Sequence, residues 1–185
     1  MTAARTLFAE RGYAAVSADE IVSAAGLTRG ALHHHFGDKA GLFLAVFEEL
    51  ETELTAEVAA AVDGVPDTAG QMVMGLRAFL DLCQRPEVVR IGLTDAPSVL
   101  GWELWREIEA RHALGLIQNM IENGIAAGMI IAQSVEVLAQ LVLSVTIEAA
   151  LLVVHAKDPE VTRQAVEPAL ITMLAGLLRT TAPPE

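Results

Sequence analysis

The chain is 185 residues long, 53% hydrophobic, and carries a formal net charge of −12. That length builds one or two domains around a real core, and a total this acidic repels DNA rather than coating it. The lone Cys83 excludes an internal disulfide and suits a reducing compartment. The polar N-terminus has no secretory leader pattern, so the expected location is cytoplasmic.

The acid excess is uneven. Residues 1–47 balance Arg5, Arg11, Arg29 and Lys39 against Glu10, Asp19, Glu20 and Asp38, so the excess lies in 48–185. Ser17 and Glu20 have capping-box spacing, which starts a helix at about Ala18. Ile21, Val22 and Ala25 supply its apolar side, and Gly26 ends it. Leu27 is expected to plug the angle before the next helix. Thr28 is a good N-cap for that second helix and Gly37 its stop. Asp38 then caps a long helix with Leu42, Phe43, Val46, Phe47 and Leu50 at helical spacing. Two short helices joined by a glycine turn predict a helix-turn-helix, whose second helix fits a DNA major groove.

Helical geometry sorts the second helix into faces. Leu32 and Phe36 are four apart and should pack inward. At about 100° per residue, Gly30, His33 and His34 point outward, Arg29 sits at the edge, and His35 leans back toward the core. About nine residues give a length of roughly 13 Å, matched to a groove about 12 Å wide. Free amides beside Thr28 suit a phosphate oxygen, and Gly30 and Ala31 leave room for close approach to the bases.

The remainder predicts long helices between breakers. The first runs from Asp38 to about Val62, closed by Asp63-Gly64-Val65-Pro66, and the second from about Thr68 to Gln84. A short piece reaches about Leu93, followed by a turn at Asp95-Ala96-Pro97. A third helix runs from about Ser98 to Asn123, ending at Gly124 with room for an extension to Gly128. A fourth spans about Ser134–Ala156, and the last about Glu160–Arg179. No strand alternation or repeat is visible, so the expected fold is all-α. A head over 1–47 joins a body over 48–185 within the long helix, without a flexible linker. Moving the far end of that helix would move the head.

Val135–Val154 has the length of a membrane span, but Glu136, Gln140 and Glu148 are costly in lipid. A helix apolar on most sides is expected inside protein. With the final helix, whose Val166, Leu170, Met173, Leu174, Leu177 and Leu178 are also apolar, it predicts a homodimer interface over 134–156 and 160–179. No membrane partner is expected.

The stretch LFAERGYAAVSADEIVSAAGLTRGALHHHFGDKAGLF resembles the DNA-binding region of the TetR (tetracycline-repressor) family. The matching residues include Leu7, Phe8, Gly12, Tyr13, Ser17, Ile21, Ala25, Gly26, Leu27, Gly30, Leu32, His35, Phe36, Lys39 and Leu42. The resemblance implies an all-helical homodimer with N-terminal reading heads and a C-terminal body that dimerises and binds a small ligand. It implies that Thr28 and Lys39 hold phosphates, and that Arg29, Gly30, Ala31 and His34 face bases or nearby backbone. His33 stands where the family usually has a phosphate-contacting tyrosine. Together with Ser17 these make up the expected DNA-binding set. Phosphate contacts are few, so affinity should rest on two heads acting together. The histidines imply that DNA affinity rises as pH falls from about 8 to 6. The family's first helix usually begins about two turns before the equivalent of Ala3. Either the native start lies upstream of Met1, or DNA is bound with a shortened first helix.

Candidate effector residues lie in the body. Trp102, Trp105, Glu109, His112 and Leu116 follow helical spacing on the third long helix, as do Met72, Leu76, Phe79, Leu80 and Cys83 on the second. These are also what ordinary core stripes look like. The ligand reading expects a small, largely apolar or aromatic effector against Phe79, Cys83, Trp102, Trp105, Glu109 and His112. Glu148 serves either as its polar anchor or as a bond across the dimer. No cofactor or metal is expected: His33, His34 and His35 diverge around a helix, and HExxH, CxxC and phosphate-loop patterns are absent. Asp95, Glu109 and His112 are not placed together by spacing, so no enzyme is expected. The resulting expectation is a ligand-responsive transcriptional regulator, a repressor released from a roughly palindromic operator by its effector. The contrasting expectation is a helical ligand-binding or interaction dimer that has lost DNA binding, supported by the short start, His33 and the neutral head.

Overall fold

In a computed structural model, which describes residues 1–178, the capping residues place the helices. Helix α1 covers Thr2–Arg11, α2 Ala18–Ala24 and α3 Arg29–Phe36. The Ser17 hydroxyl accepts from the Glu20 amide at 3.2 Å while the Glu20 carboxylate accepts from the Ser17 amide at 2.8 Å, the reciprocal pair of a capping box. At the other end of α2, Leu27 N–H donates to Val22 O (2.8 Å) and Gly26 N–H to Ser23 O (3.2 Å). This six-to-one and five-to-two pattern needs a left-handed residue, and Gly26 supplies it at φ +64°. The turn is closed by backbone, and Leu27 does not plug it: its side chain is 56% exposed.

Helix α4 spans Lys39–Val62, capped by Asp38, whose carboxylate accepts from Gly41 N–H at 2.8 Å. Its buried Leu42, Phe43, Val46, Phe47 and Leu50 meet Phe8, Val16, Ile21 and Leu32 in one core. There Phe8 and Tyr13 set their rings edge-on to Phe43, with centroids 5.2 and 5.1 Å away. Helix α5 covers Thr68–Leu82.

The segment after α5 departs from expectation. Val88–Asp95 forms a π-helix, and α6 (Ala96–Leu100) follows directly, with Pro97 in its first turn where the missing N–H is harmless. Asp95-Ala96-Pro97 is therefore no turn. The break comes at Gly101, and α7 runs Trp102–Ala126. Gly124 does not stop α7. A Cβ there would lie 2.6 Å from the Ile130 side chain, so glycine serves packing instead of termination.

Helix α8 spans Val135–Val154 and packs along α9, Pro159–Ala175. The expected end of the last helix at Arg179 lies outside the described residues. Although α8 is long and apolar enough to cross a membrane, it buries Leu138, Ala139, Leu143, Ile147, Ala149, Ala150 and Val153 within the protein. A core cluster of Ile121, Ile130, Leu138 and Ala139 completes this part. Among the described residues there is no strand, only an isolated antiparallel bridge between Ile130 and Leu178.

The chain divides into two compact units. Among the described residues, the first comprises 1–54 with 82–109, and the second 55–81 with 110–178. Residues 82–109 thus fold with the N-terminal helices.

Candidate nucleic-acid interface

Helix α3 is held from below and presented above. Leu32 is 8% exposed and Phe36 half-buried, whereas Thr28, Arg29, Gly30, His33 and His34 are exposed and Ala31 is half-buried. The Thr28 hydroxyl accepts from Ala31 N–H at 3.2 Å, fixing the helix start. His35 was expected to lean inward but is exposed, its ring 5.1 Å from that of His34. On so short a helix Leu32 and Phe36 suffice as the buried contact.

A hollow beside α3 is lined by Ser17, Asp19, Arg29, His33, Asp38 and Lys39, together with the apolar Ala18 and Leu32. Arg29 is gripped by Asp19 of α2, its Nε and Nη2 each donating to one carboxylate oxygen. That pairing holds the Asp19 carboxyl below its usual range, and it leaves the other edge of the guanidinium fork facing outward. His33 Nδ1 donates to Gly37 O at 2.5 Å. The neutral ring has only that donor, so Nε2 offers a hydrogen to a phosphate only as imidazolium.

Lys39 is more tied than a free phosphate clamp. Its Nζ donates to Tyr13 O (2.9 Å) and Val16 O (2.8 Å) and lies 3.8 Å from the Tyr13 ring centroid. It joins α4 to the turn after α1 while still reaching the hollow. Acidic groups at the rim, Asp19 and Asp38, keep the surface near neutral, so electrostatic attraction here is local.

The head is bolted to the π-helix through polar links. Arg5 pairs with Glu53 (2.7 Å) and Glu87 (3.1 Å), and Asp95 accepts from Tyr13 N–H at 2.7 Å. Arg90 lies across Gly12, where a Cβ would fall 1.7 Å from its Nη2. Gly12 also sits at φ +78°, and that left-handed backbone is what favours glycine there. Nothing in the spacing of the sequence announced Asp19, Arg90 or Asp95 as partners of the head.

The expected effector residues divide between the two units. In the first, Cys83, Trp105 and Glu109 are 3%, 0% and 6% exposed, whereas Trp102 is 59% exposed with its ring 4.8 Å from that of Trp105. Arg106 donates to Glu109 Oε2 at 2.9 Å. Burial, with the neighbouring Glu51 second, pushes the Glu109 carboxyl up to about 8 against the pull of Arg106, and burial pushes Glu51 up to about 7. Sequence reasoning missed Glu51. It hides among Glu48, Glu49 and Glu53, but it follows buried Phe47 by four and precedes buried Leu54 by three, so it flanks the apolar face. In the second unit, Phe79 and His112 are half-buried. Glu148 is exposed on α8, on a face shared with Leu141 (59% exposed) and Leu152 (53%), which counts against a buried anchor.

A capped three-helix head that presents α3 defines a helix-turn-helix DNA-binding regulator. The family model described as tetracyclin repressor-like, C-terminal domain, matches residues 69–177, and that of bacterial regulatory proteins of the tetR family matches residues 1–46. An HTH-type transcriptional repressor of Mycobacterium tuberculosis is 36% identical over 99 residues, covering 54% of this chain and 52% of that protein. A TetR-family transcriptional regulator from Pectobacterium atrosepticum has a crystal structure that superposes with a TM-score of 0.85 at 36% identity, covering 99% of this chain and 93% of that one. The regulator RolR, crystallised with resorcinol, shares the fold with a TM-score of 0.72 at 20% identity, covering 100% and 92%. The chain belongs to the TetR family of bacterial transcriptional regulators. The contrasting expectation, a dimer that has lost DNA binding, finds no support: the DNA-binding region matches its family model, and α3 keeps its outward face.

Proposed function

We propose that this chain is a cytoplasmic, homodimeric repressor whose two heads, residues 1–47 of each copy, enter successive major grooves of a roughly palindromic operator, and that a small effector bound in the body (48–185) releases it. The observation that carries the reading is the exposed N-terminal half of α3, with Thr28, Arg29, Gly30 and His33 outward above buried Leu32. Arg29 reads a base edge; Thr28 and Lys39 hold backbone, with Ser17 beside them; Gly30, Ala31 and His34 fit the groove wall. The repressor of Mycobacterium tuberculosis supports the sign of regulation. Effector binding favours a state whose heads no longer match the DNA. The resorcinol-bound RolR supports a small aromatic effector, and we assign this role to Cys83, Trp105 and Glu109, with Trp102 at the rim.

The dimer surface we propose is the outer face of α8 and α9. Val137, Leu141, Leu152, Val161 and Met173 are 53–60% exposed there, more apolar surface than a monomer leaves bare without reason. Glu148 then takes its second expected role, a polar contact across the dimer.

A mobility-shift titration on the DNA upstream of the gene tests the reading. A complex in the nanomolar to micromolar range, two copies per site, is expected, and it should weaken at least hundredfold in Leu141→Asp/Leu152→Asp as avidity is lost. Binding by a monomer with undiminished affinity would overturn the dimeric account. Affinity should rise as pH falls from about 8 to 6, less steeply in His33→Ala, and a flat profile or one unchanged in His33→Ala removes the role of the histidines.

A further inference from the structure

The first unit contains more buried negative charge than it neutralises. Glu109 on α7 is 6% exposed and spends one oxygen on Arg106. Glu51, on α4, lies close enough to oppose its ionisation. Glu51 keeps a sliver of accessible surface although protein surrounds it on nearly every side, and among the described residues no hydrogen bond or ion pair holds it. Arg106 thus serves Glu109, while nothing offsets the burial of Glu51. A buried carboxylate without a partner is strongly disfavoured, so the pair retains a proton in its place.

A second, independent deficit lies one turn away on α7. Trp105 is 0% exposed, and its indole Nε1–H has no acceptor. Unsatisfied buried donors are rare in folded proteins and call for an explanation such as a missing ligand. Trp102, 59% exposed beside Trp105, adds an aromatic wall, and aromatic faces attract cations.

We propose that this corner of the first unit binds an organic cation with an aromatic or apolar body and a hydrogen-bond acceptor. The cation takes the place of the proton between Glu51 and Glu109, the acceptor receives the Trp105 N–H, and the body packs on Trp102. A neutral apolar ligand leaves all three polar groups as they were, and an anion adds to the excess charge. The inference deepens the proposed effector-released repressor by naming the chemical class of its effector.

The test uses the full-length protein and intrinsic tryptophan fluorescence at pH 7.5. Phenyltrimethylammonium and its 3-methoxy derivative are titrated beside the neutral isostere tert-butylbenzene and the anion benzoate. Both cations should quench with affinities at least tenfold above tert-butylbenzene, the methoxy compound binding more tightly, and benzoate should not bind. Glu51→Gln should weaken both cations tenfold or more while leaving tert-butylbenzene within twofold; circular dichroism checks that this variant is folded. Equal binding of cation and isostere, no binding of either cation, or a Glu51→Gln variant that binds cations as well as the parent overturns the inference. DNA release separates it from the broader reading. If neutral aromatics release the operator and the cations do not bind, the repressor reading stands and this inference falls. Cation-selective quenching in a chain that binds no DNA has the opposite meaning.

Discussion

Glu20 in the reading head and Glu51 beside Glu109 are the same residue type under opposite conditions. Glu20 is on the surface, and the Ser17 amide, Arg11 and the Ser17 hydroxyl hold its carboxyl down to about 2. Glu51 and Glu109 are enclosed, and burial raises them to about 7 and 8. The head gives each of these carboxylates an arginine: Glu20 has Arg11, Asp19 has Arg29, and Glu53 and Glu87 share Arg5. The α4–α7 corner does not. A surface that docks a polyanion must present rigid, pre-satisfied groups, because each loose side chain loses entropy on binding. A site that holds a small molecule can instead leave groups unsatisfied until the ligand arrives.

The largest effect that would sharpen this contrast is on stability. Both enclosed carboxyls hold protons more tightly in the folded chain than in the unfolded one, where the value is 4.5. Between about pH 5 and 8 the folded state binds more protons, so their contribution to stability falls as pH rises through that window and is flat above it. At pH 9, Glu51→Gln should therefore gain about 2–3 kcal/mol in urea unfolding, with little gain at pH 5. A gain at pH 5 as large as that at pH 9 would show that charge is not the cause. Glu20 works in the opposite direction: its contribution is present above about 4.5 and disappears as pH falls toward 2.

Next in size, Arg29→Ala should weaken operator binding roughly tenfold and relax preference at one base pair of each half-site. Asp19→Ala should raise affinity for unrelated DNA several-fold while lowering discrimination, since it both removes a negative charge and frees the guanidinium. Mobility shifts on a set of single-base operator variants measure both, and equal losses on every sequence would reduce Arg29 to a phosphate contact. The smallest effect is that of Ser17→Ala, about 1 kcal/mol of thermal stability from the lost cap, with operator affinity lowered a few-fold by loss of its hydroxyl beside the DNA backbone.

The head was largely legible because its boundaries are local. Ser17, Thr28 and Asp38 each cap within three residues, and Gly26 closes its turn through backbone alone. Leu27 and His35 were misplaced because their exposure depends on what packs over a helix only a few residues long. The middle of the chain was less legible. A π-helix has no distinctive composition, and Pro97 reads as a turn unless the preceding residues are already helical. Pairs such as Arg29 with Asp19 or Tyr13 with Asp95 join residues ten and eighty-two positions apart, and neither separation repeats a helical period. Glu51 was within reach of a wheel diagram, but its acidic neighbours disguised it as solvent-facing.

The guanidinium of Arg90 lying over Gly12 has a consequence for engineering. Regulators of this kind invite the grafting of one protein's operator preference onto another's sensor, with a junction near residue 47. Here such a cut strands Arg5 from Glu53 and Glu87, Tyr13 from Asp95, and Gly12 from the arginine that covers it. A recipient with a side chain at the twelfth position would have to displace the Arg90 guanidinium and adopt the left-handed backbone found there. A chimera that transplants 82–109 along with the first 54 residues keeps these joints intact, but it carries Glu51, Cys83, Trp105 and Glu109 with the head, so the two travel as one cassette that is discontinuous in the gene.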